Sequence, residues 1–455
     1  MSLEKVTRNK KSLEFMAELR RKIMEVLNEW KHSADRKPLV IKGCRQCGKT
    51  YSVRQFASAN YAHVIYLNFM ENDDYGSIFE KSRRIDDIIL NISTFIEDAV
   101  FIPGQTCIIL DEIQECPQAR SALKFFKLDG RFDVIATGSL LGVVGYGANK
   151  ATIPVGYETI VQMFPLDFEE FLWANGIRDE VVDKLQQCLD TLSPVPEAIH
   201  RRLRELLLQY TIVGGMPEVV NLFLSTHNIN NVIKLQQTII SQYEDDMLKY
   251  ADDADKSRIR ECFESIPKQL AKENKKFQYS LVRKGGKASQ YAGSIQWIED
   301  AGIIRRCYNL SITELPLDGN AIADVFKIYM VDTGLFISML EPGTQADILR
   351  GNLYGYKGAI FENLIADIFS KMQRKLYYFR KDSGLEVDFV IRYEGECTLI
   401  EVKSSNGNVK STKTILAHPE KYHINKAIKL CDMNIGVSDQ VITLPLYLTF
   451  LLRTY

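Results

Sequence analysis

The segment from Gly43 to Thr50 has the residue types and spacing of a phosphate-binding loop. It reads GCRQCGKT, matches G-x-x-x-x-G-K-[ST] in full, and lies between an apolar strand-like run and a helical run. In such a loop, glycines let backbone N–H groups face phosphates at a helix N-terminus, Lys49 neutralises the β and γ oxygens, and the Thr50 hydroxyl ligates Mg²⁺. The residues predicted to contact the nucleotide are Gly43, Cys44, Arg45, Gln46, Cys47, Gly48, Lys49, Thr50 and Tyr51.

Two adjacent carboxylates end a second apolar run, CIILDE. Asp111 is placed to orient the Mg²⁺ water shell, and Glu112 is placed to polarise the attacking water. An Asp-Glu pair has this meaning only downstream of a complete phosphate loop, which this chain has. The sequence therefore predicts catalysis by Lys49, Asp111 and Glu112, with Thr50 and Asp111 as Mg²⁺ ligands.

A third apolar run, DVIATGS, ends in two hydroxyl residues. Thr137 and Ser139 are predicted to sense the γ-phosphate between the two preceding strands. The alternative is that they form an N-cap for the next helix. Because no Asn-Lys-x-Asp motif is present to recognise guanine, ATP is favoured over GTP.

Cys44 and Cys47 form C-x-x-C inside the loop. No second Cys/His pair at zinc spacing is near, and thiolates would compete with phosphate, so a metal site is disfavoured. Oxidation sensitivity of the loop remains an open alternative. The chain has nine cysteines, an odd number that indicates a reduced compartment more than a disulfide framework.

The length and charge of the chain bound its class. With 455 residues it exceeds the roughly 250–300 residues of one core, so several domains are expected. Its 57 basic and 58 acidic residues leave a net charge of −1, so any nucleic-acid contact must come from a local patch.

No segment has the character of a signal peptide or a transmembrane helix. The apolar segment Val441–Leu452 is short and contains Pro445, and it is predicted to be a buried strand. These patterns predict a cytoplasmic protein without a membrane partner, and they specify no oligomeric state.

From Pro38, apolar strands alternate with helices, which indicates an α/β fold with a parallel sheet covered on both faces. Helices follow, broken at Gly214–Pro217, and then a helix-rich segment ends in the strand-like runs IIRRCYNL and VFKIYMV. The predicted units are an N-terminal helix (Leu13–Trp30) and linker over 1–37, a P-loop core over 38–175, a helical lid or connector over 176–250, a winged-helix-like module over 251–345, and a small α/β unit over 346–455.

A basic run with interleaved aromatic residues lies in the winged-helix-like module. It comprises Lys272, Lys275, Lys276, Arg283, Lys284 and Lys287, with Tyr279 and Tyr291. Such a run is typical of a surface that contacts DNA phosphates. A solvated helix face explains it equally well.

The motifs occur in an order that resembles a known family. GCRQCGKT, LDEIQECP, ATGSLLGV, FPLDFEEF, IVGGMPEVV, EVDFVI and LIEVKSS together resemble the prokaryotic AAA-like (AAA_14-type) P-loop ATPases with a C-terminal DUF4143 domain. The resemblance implies an additional-strand (ASCE), AAA-type ATP site, a winged-helix region, and a C-terminal domain similar to PD-(D/E)XK nucleases. Family members place Gly-Arg where this chain has Gly156 and Tyr157, which leaves a transition-state arginine unassigned.

The nuclease resemblance implies a second site formed by Glu362, Asp388, Glu401 and Lys403, with Asp388 and Glu401 as Mg²⁺ ligands. If Glu394 and Gly395 form a two-residue turn, opposed residue numbers sum to 789, so Asp388 opposes Glu401 and Lys403 shares their face. A three-residue loop would split the set across two faces. The alternative is a solvated strand face with a structural ion pair.

These patterns predict an ATP-hydrolysing protein with Mg²⁺ as its metal. Its nucleotide state is expected to control a DNA-facing winged helix and a Mg²⁺-dependent nuclease-like domain. The alternative is a nucleotide-gated binding or regulatory protein whose terminal domain does not cut.

Overall fold

The computed structural model describes residues 18–139, 156–250, 253–272, 275–350, 356–403 and 409–453. Its first helix, α1, runs over Ile23–His32, inside and just beyond the predicted N-terminal helix, of which residues 13–17 lie outside the described residues. The backbone N–H of Lys22, the residue before this helix, donates to the Glu170 carboxylate at 2.7 Å. Leu27 of α1 is fully buried in the core of the following sheet region.

The P-loop region contains a parallel sheet. Its elements are β1 (Leu39–Lys42), α2 (Lys49–Asn60), β2 (His63–Asn68), α3 (Ile85–Phe95), β3 (Thr106–Asp111), α4 (Pro117–Asp129), β4 (Asp133–Gly138) and β5 (Thr159–Gln162), with 3₁₀ helices at Asp73–Phe79 and Ile113–Glu115. The strand order is β2-β3-β4-β1-β5, and the pairs are parallel, which confirms the predicted α/β P-loop sheet. Because β1, β4 and β3 are adjacent and parallel, their carboxyl ends lie at the same edge of the sheet.

The next region is helical, as the sequence predicts. It contains α5 (Phe168–Ala174), α6 (Asp179–Asp190), α7 (Glu197–Val213), α8 (Pro217–Thr226) and α9 (Ile229–Tyr250). The break between α7 and α8 falls at Gly214–Met216, where the breaker residues predict it. Within the described residues, no helix combines the length and the apolar character that crossing a bilayer requires.

The middle region ends in a pair of antiparallel strands. Its elements are α10 (Asp253–Glu264), α11 (Ile266–Leu270), α12 (Tyr279–Val282), α13 (Ala288–Asp300), β6 (Ile304–Leu310) and β7 (Ala321–Met330), with a 3₁₀ helix at Leu317–Asn320. The two strands pair as an antiparallel ladder, in the place where the sequence predicts a wing. The winged-helix assignment itself stays a prediction.

The C-terminal region begins with helices and continues as a mixed sheet. Its elements are α14 (Thr333–Ser338), α15 (Thr344–Arg350), α16 (Lys357–Lys371), β8 (Leu376–Arg380), β9 (Glu386–Val387), β10 (Phe389–Tyr393), β11 (Glu396–Val402), α17 (Lys410–Leu416), α18 (Pro419–Tyr422), β12 (Ala427–Cys431), β13 (Gly436–Ser438) and β14 (Val441–Pro445). One sheet has the order β10-β11-β12-β14-β13. A second sheet, β7-β6-β8-β9, joins the middle region to this one across the predicted limit at 345 and 346.

The hairpin between β10 and β11 has the predicted register. Glu394 and Gly395 form its turn with φ values of 50° and 80°, the left-handed conformation that two-residue hairpin turns require. Phe389 pairs with Ile400 and Arg392 with Cys397, so opposed numbers sum to 789.

The predicted buried strand over Val441–Leu452 is only partly correct. Strand β14 ends at Pro445, and a 3₁₀ helix follows over Leu446–Leu451. Proline lacks the N–H that would continue the ladder, which explains the stop. The segment is buried as predicted, with Tyr447 and Leu448 fully inaccessible.

A junction of buried, hydrogen-bonded polar groups around Gly215 connects the regions of the chain. Its N–H donates to Asp332 Oδ2 at 2.7 Å, and its carbonyl accepts the Leu166 N–H at 2.6 Å. From α16, Lys371 Nζ donates to the Leu166 carbonyl at 3.1 Å and to the Tyr210 hydroxyl at 2.8 Å. P-loop, helical, middle and C-terminal segments therefore meet at one network.

Replacing Gly215 by alanine should loosen this junction. A Cβ at this position would overlap the Leu166 carbonyl oxygen and lie 2.8 Å from the Leu166 nitrogen, and backbone atoms cannot move aside cheaply. We expect Gly215→Ala to lower the free energy of unfolding by about 2–3 kcal/mol, measured by denaturant titration.

The matched control is Gly293→Ala, because this glycine lies in α13 and a Cβ added to it would have nothing within 4 Å. In a helix interior the same change should stabilise by about 0.5–1 kcal/mol. Equal stability of the Gly215→Ala protein and the parent would contradict the close approach.

Candidate nucleotide site and C-terminal acidic cluster

The phosphate loop has a backbone shape that needs its glycines. Gly48 has φ of 96°, a left-handed value, at the N-cap of α2. A Cβ on Gly43 would overlap the Met163 carbonyl oxygen of the neighbouring segment. The loop thus wraps the N-terminus of α2, where unpaired N–H groups favour an anion.

Lys49 lies inside this loop and is 5% exposed. Its Nζ donates to the carbonyls of Gly43 at 3.1 Å and Cys44 at 2.9 Å. The ammonium group is therefore held at the centre of the predicted phosphate cradle. Tyr51, by contrast, is 50% exposed on α2.

Asp111 lies at the end of β3 and is 1% exposed. The Thr50 hydroxyl donates to its carboxylate, with both oxygens at 3.0 Å, and the Thr137 hydroxyl from β4 donates to it as well. The Tyr66 hydroxyl from β2 adds a bond of 2.7 Å. The structure brings the predicted Mg²⁺ ligands together, and a hydroxyl with a carboxylate is an oxygen donor set that suits Mg²⁺.

Glu112 follows in the left-handed conformation, with φ of 53°. Its Oε2 accepts the Gln114 side-chain amide at 2.6 Å and the Ser139 hydroxyl at 3.1 Å. Thr137 thus contacts Asp111, and Ser139 contacts Glu112, so both predicted sensor hydroxyls touch the acid pair. The residues that an N-cap would serve, from 140 onward, lie outside the described residues.

Helix α9 lies across the loop, a contact that sequence reasoning missed. Asp246 forms an ion pair with Arg45 at 2.7 Å, and the Tyr243 hydroxyl donates to the Arg45 carbonyl at 3.1 Å. The Gln46 and Gln242 side chains are also hydrogen-bonded. Burial raises the pKa of Asp246 to about 6, with Arg45 opposing the shift.

Arg21 contacts the phosphate loop from the segment before α1, and sequence reasoning missed this contact as well. It donates to the Cys47 carbonyl at 3.0 Å, to the Phe164 carbonyl at 2.7 Å, and to the Glu170 carboxylate at 3.1 Å. The arginine precedes α1, far from the loop in sequence, so no local pattern pointed to it.

The Cys44 and Cys47 thiols are both buried. Their mutual hydrogen bond lowers the pKa of Cys47 and raises that of Cys44. Among the residues that the structure describes, no group of three or more His, Cys, Asp or Glu side chains could hold a metal ion. Oxidation sensitivity of this pair stays a prediction.

Tyr157 occupies the position where the resemblance expects arginine. Its ring centroid lies 5.0 Å from Lys124 Nζ on α4. The only side-chain cation of the predicted nucleotide-contacting loop besides Lys49 is Arg45, and the source of a transition-state arginine stays unassigned.

In the C-terminal sheet, the predicted second site comes together as the register requires. Lys403 Nζ lies 2.9 Å from Glu401 and 3.9 Å from Asp388. Asp388 also accepts the Val402 N–H at 2.8 Å, and Glu401 accepts the Thr412 hydroxyl at 2.8 Å. Burial, with Glu362 and Glu401 nearby, raises the pKa of Asp388.

The carboxylates of the C-terminal region form an acidic cluster, which comprises Glu362, Glu386, Asp388 and Glu401. Two lysines from outside this region contact the cluster. Lys275 pairs with Glu362, so this member of the predicted DNA-contacting run instead makes a partly buried ion pair. Lys327 of β7 is 1% exposed and lies 2.9 Å from Glu386 and 3.9 Å from Glu362. A lysine within the apolar run VFKIYMV was the available signal for a buried partner.

These contacts decide how well the cluster fits Mg²⁺. Glu362 is bonded to Lys275 on one oxygen and to the Tyr329 hydroxyl on the other, and both Glu401 oxygens are likewise engaged. In this arrangement lysine ammonium groups supply the compensating charge, and the acid set does not fit a divalent ion.

The rest of the basic run divides between surface and core. Lys272, Lys276, Arg283, Lys284 and Lys287 are exposed. Tyr291, in contrast, is buried, and its hydroxyl donates to Glu261 at 2.7 Å, so it is not part of an exposed DNA-stacking surface.

Comparison with known families matches three parts of the chain. Residues 35–172 match AAA_14, an AAA domain, residues 204–346 match DUF8612, and residues 357–448 match DUF4143, the last two being domains of unknown function. These matches confirm the expected AAA-type P-loop domain, which is a nucleotide-binding domain, and the DUF4143 segment. No curated protein matches the chain.

Several solved structures are similar to the chain at low identity. A Walker-type ATPase of Pyrococcus abyssi is 11% identical with a TM-score of 0.41, over 71% of this chain and 96% of that one. The ORC2 protein of Aeropyrum pernix is 12% identical with a TM-score of 0.35, over 74% and 94%. The RuvB Holliday junction branch migration motor of Thermotoga maritima is 12% identical with a TM-score of 0.27, over 63% and 90%. At these scores the similarity assigns no function to the chain.

The position of Glu112 leads to a kinetic prediction. Because its carboxylate accepts the Ser139 hydroxyl and the Gln114 amide, while Lys49 is held by loop carbonyls, Glu112→Gln should retain ATP binding and lower the rate of hydrolysis by about 10²–10⁴-fold. Phosphate release and nucleotide affinity are measured on the same preparation.

The matched control is Glu115→Gln, the same change at an exposed position nearby. Hydrolysis by Glu112→Gln at the parent rate would remove Glu112 from the chemistry. A loss of equal size in Glu115→Gln would point to a general defect.

Proposed function

We propose that the protein binds and hydrolyses ATP, and that its nucleotide state controls a DNA-facing middle region and the nuclease-like C-terminal region. The observation that carries the proposal is the convergence of Thr50, Asp111, Glu112 and Thr137 at one edge of the parallel sheet, beside a complete phosphate loop. The AAA domain match supports the ATP-binding part of the proposal.

The residues divide the work of hydrolysis among them. Loop N–H groups and Lys49 bind the phosphates and orient the γ-phosphoryl group. Glu112 orients water and accepts its proton, while Thr137 and Ser139 position the two carboxylates. Mg²⁺, when bound through Thr50 and Asp111, neutralises phosphate charge.

Control by the nucleotide requires contacts between the loop and the other regions. Helix α9 reaches the loop through Asp246 and Tyr243. The turn at Gly302, between α13 and β6, also approaches the loop, since a Cβ there would lie 3.5 Å from the Cys44 nitrogen. These contacts support transmission of the nucleotide state to the middle region.

The DNA-facing role is supported by the exposed cations of the middle region. Arg283, Lys284 and Lys287 lie in the segment that leads into α13. In the winged-helix interpretation, this helix and the β6–β7 pair would face a duplex.

A second candidate function is a nucleotide-gated regulatory protein whose C-terminal region does not cut. The ion pairs of Lys275 and Lys327 with the acidic cluster favour it. In a cutting protein, Lys403 must withdraw from Glu401 so that Asp388 and Glu401, the predicted Mg²⁺ ligands, are free to bind the metal.

Calorimetry with Mg²⁺ and ATP tests the first part of the proposal. Lys49→Ala removes the buried ammonium and should weaken ATP affinity by about 10–100-fold, because a hydrogen bond to a charged group contributes about 1.5–3 kcal/mol. Lys124→Ala, a charge loss on α4 away from the loop, is the control. No heat with the parent protein, together with unchanged behaviour of Lys49→Ala, would refute ATP binding.

Plasmid cleavage distinguishes the two candidate functions. The protein is incubated with supercoiled DNA, Mg²⁺ or Mn²⁺, with and without ATP, alongside Lys403→Ala and Lys49→Ala. We expect no nicking without ATP, because lysines occupy the acidic cluster. Nicking that requires ATP and is lost in both variants supports the nuclease, whereas no nicking by the parent under any condition supports the regulatory protein.

A further inference from the structure

A cleft of about 910 Å³ lies where the P-loop sheet, the middle region and the C-terminal region meet. One wall comes from the ends of β1 and the edge strand β5, a second from β6 and β7, and a third from the end of α16 and the start of β8. It is separate from the nucleotide loop and from the acidic cluster.

The cleft carries more positive than negative charge. Its cationic side chains are Lys42, Arg305, Arg306, Arg374 and Lys375, and its carboxylates are Glu299 and Asp318. Both carboxylates are already engaged, since Glu299 accepts Arg306 Nε at 2.6 Å and Asp318 lies 2.9 Å from Lys375. The local acids therefore leave the remaining cations uncompensated.

Lys42, Arg305 and Arg374 have no carboxylate within 4 Å in the part of the chain that the structure describes. Arg374 is half-buried and donates to the Arg392 carbonyl at 2.9 Å and to the Leu452 carbonyl, while its Nε has no partner among described atoms. Burial lowers the pKa of this guanidinium. A partly desolvated cation without a counter-charge is costly, and an anionic ligand would offset that cost.

We propose that this cleft binds the phosphate backbone of single-stranded nucleic acid. The three uncompensated cations come from three different segments, so a ligand with several phosphates satisfies them together. Phe164 and Tyr308 are partly exposed on the walls, and such rings give bases a stacking surface. A concave site cannot enter a duplex groove, which admits a protruding helix or β-ribbon.

The cleft deepens the proposed function by locating a nucleic-acid contact away from the basic run of the middle region. It rests on the proposed function only for coupling to ATP. Lys42 directly precedes the phosphate loop in sequence, and Gly302, which approaches Cys44, lies shortly before Arg305. Phosphate binding in the loop is therefore placed to affect phosphate binding in the cleft, and the reverse.

The test is fluorescence anisotropy of the full-length protein with a labelled single-stranded 20-mer oligonucleotide, over a series of salt concentrations. The cleft variant is Lys42→Ala with Arg305→Ala. We expect its affinity to fall by about 10–100-fold and the salt slope to decrease by about 1.4, since each phosphate contact on a single strand contributes about 0.7. The control, Lys81→Ala with Lys184→Ala, removes the same charge at exposed positions outside the cleft and outside the basic run and should bind like the parent.

A second variant keeps the test decisive if alanine disturbs the fold. Lys42→Arg with Arg305→Lys preserves charge and should retain binding, and thermal unfolding is measured for every variant. Unchanged binding by the alanine pair would overturn the cleft as the nucleic-acid contact. An equal loss of duplex DNA affinity in the cleft pair would overturn the assignment to single strands, and an equal loss of poly-glutamate affinity would overturn the assignment to nucleic acid.

Lys49→Ala separates this proposal from the proposed function. Single-strand binding that persists in Lys49→Ala and is lost in the cleft pair supports the cleft even where ATP hydrolysis is absent. ATP hydrolysis by a parent protein that does not bind the oligonucleotide refutes the cleft and leaves the ATPase assignment standing.

Discussion

The buried carboxylate of Asp111 imposes the constraint on which the nucleotide site depends. A carboxylate that is 1% exposed must be hydrogen-bonded. Here the partners are the hydroxyls of Thr50, Tyr66 and Thr137, which come from α2, β2 and β4. Satisfying one charge therefore fixes the relative positions of the phosphate loop and of the strands on either side of β3. The strand order makes this possible, because β4 brings Thr137 between β1 and β3.

The C-terminal acidic cluster meets the same physical problem with a different solution. The hydroxyl donors to Asp111 carry no opposite charge, so its site remains attractive to a cation. Lys275, Lys327 and Lys403 instead bring positive charges to Glu362, Glu386 and Glu401, and the electrostatic demand for a metal is largely met within the chain. A carboxylate partnered by hydroxyls and one partnered by lysines look alike in sequence. Only the first has a negative charge that is not compensated within the chain.

Features of both sites that depend on neighbouring residues could be predicted from the sequence, and features that depend on distant segments could not. The phosphate loop was predictable because its chemistry is contained in consecutive residues, and the register of β10 against β11 was predictable because a two-residue turn and a period of two leave one arrangement. Tyr66, Arg21, Asp246 and Lys327 were missed because their partners lie on distant segments. The separate C-terminal unit was predicted from the order of elements, whereas pairing of β6 with β8 across its limit depends on a tertiary contact. The strand that begins at Val441 is shorter than predicted, because Pro445 lacks the N–H that would continue the ladder.

The contacts of Arg45 suggest how nucleotide charge can reach the rest of the chain. Arg45 is part of the loop predicted to hold phosphates, and its guanidinium pairs with Asp246 of α9 at 2.7 Å. A phosphate oxygen and a carboxylate compete for the same guanidinium donors, because both prefer its forked geometry. Burial already disfavours the charged form of Asp246, whose pKa is raised to about 6, so this pair is the weaker competitor against a fully ionised triphosphate. The Arg45–Asp246 pair is therefore the contact of α9 that nucleotide charge affects most directly, and α9 leads directly into the middle region that carries both β6 and the exposed basic run.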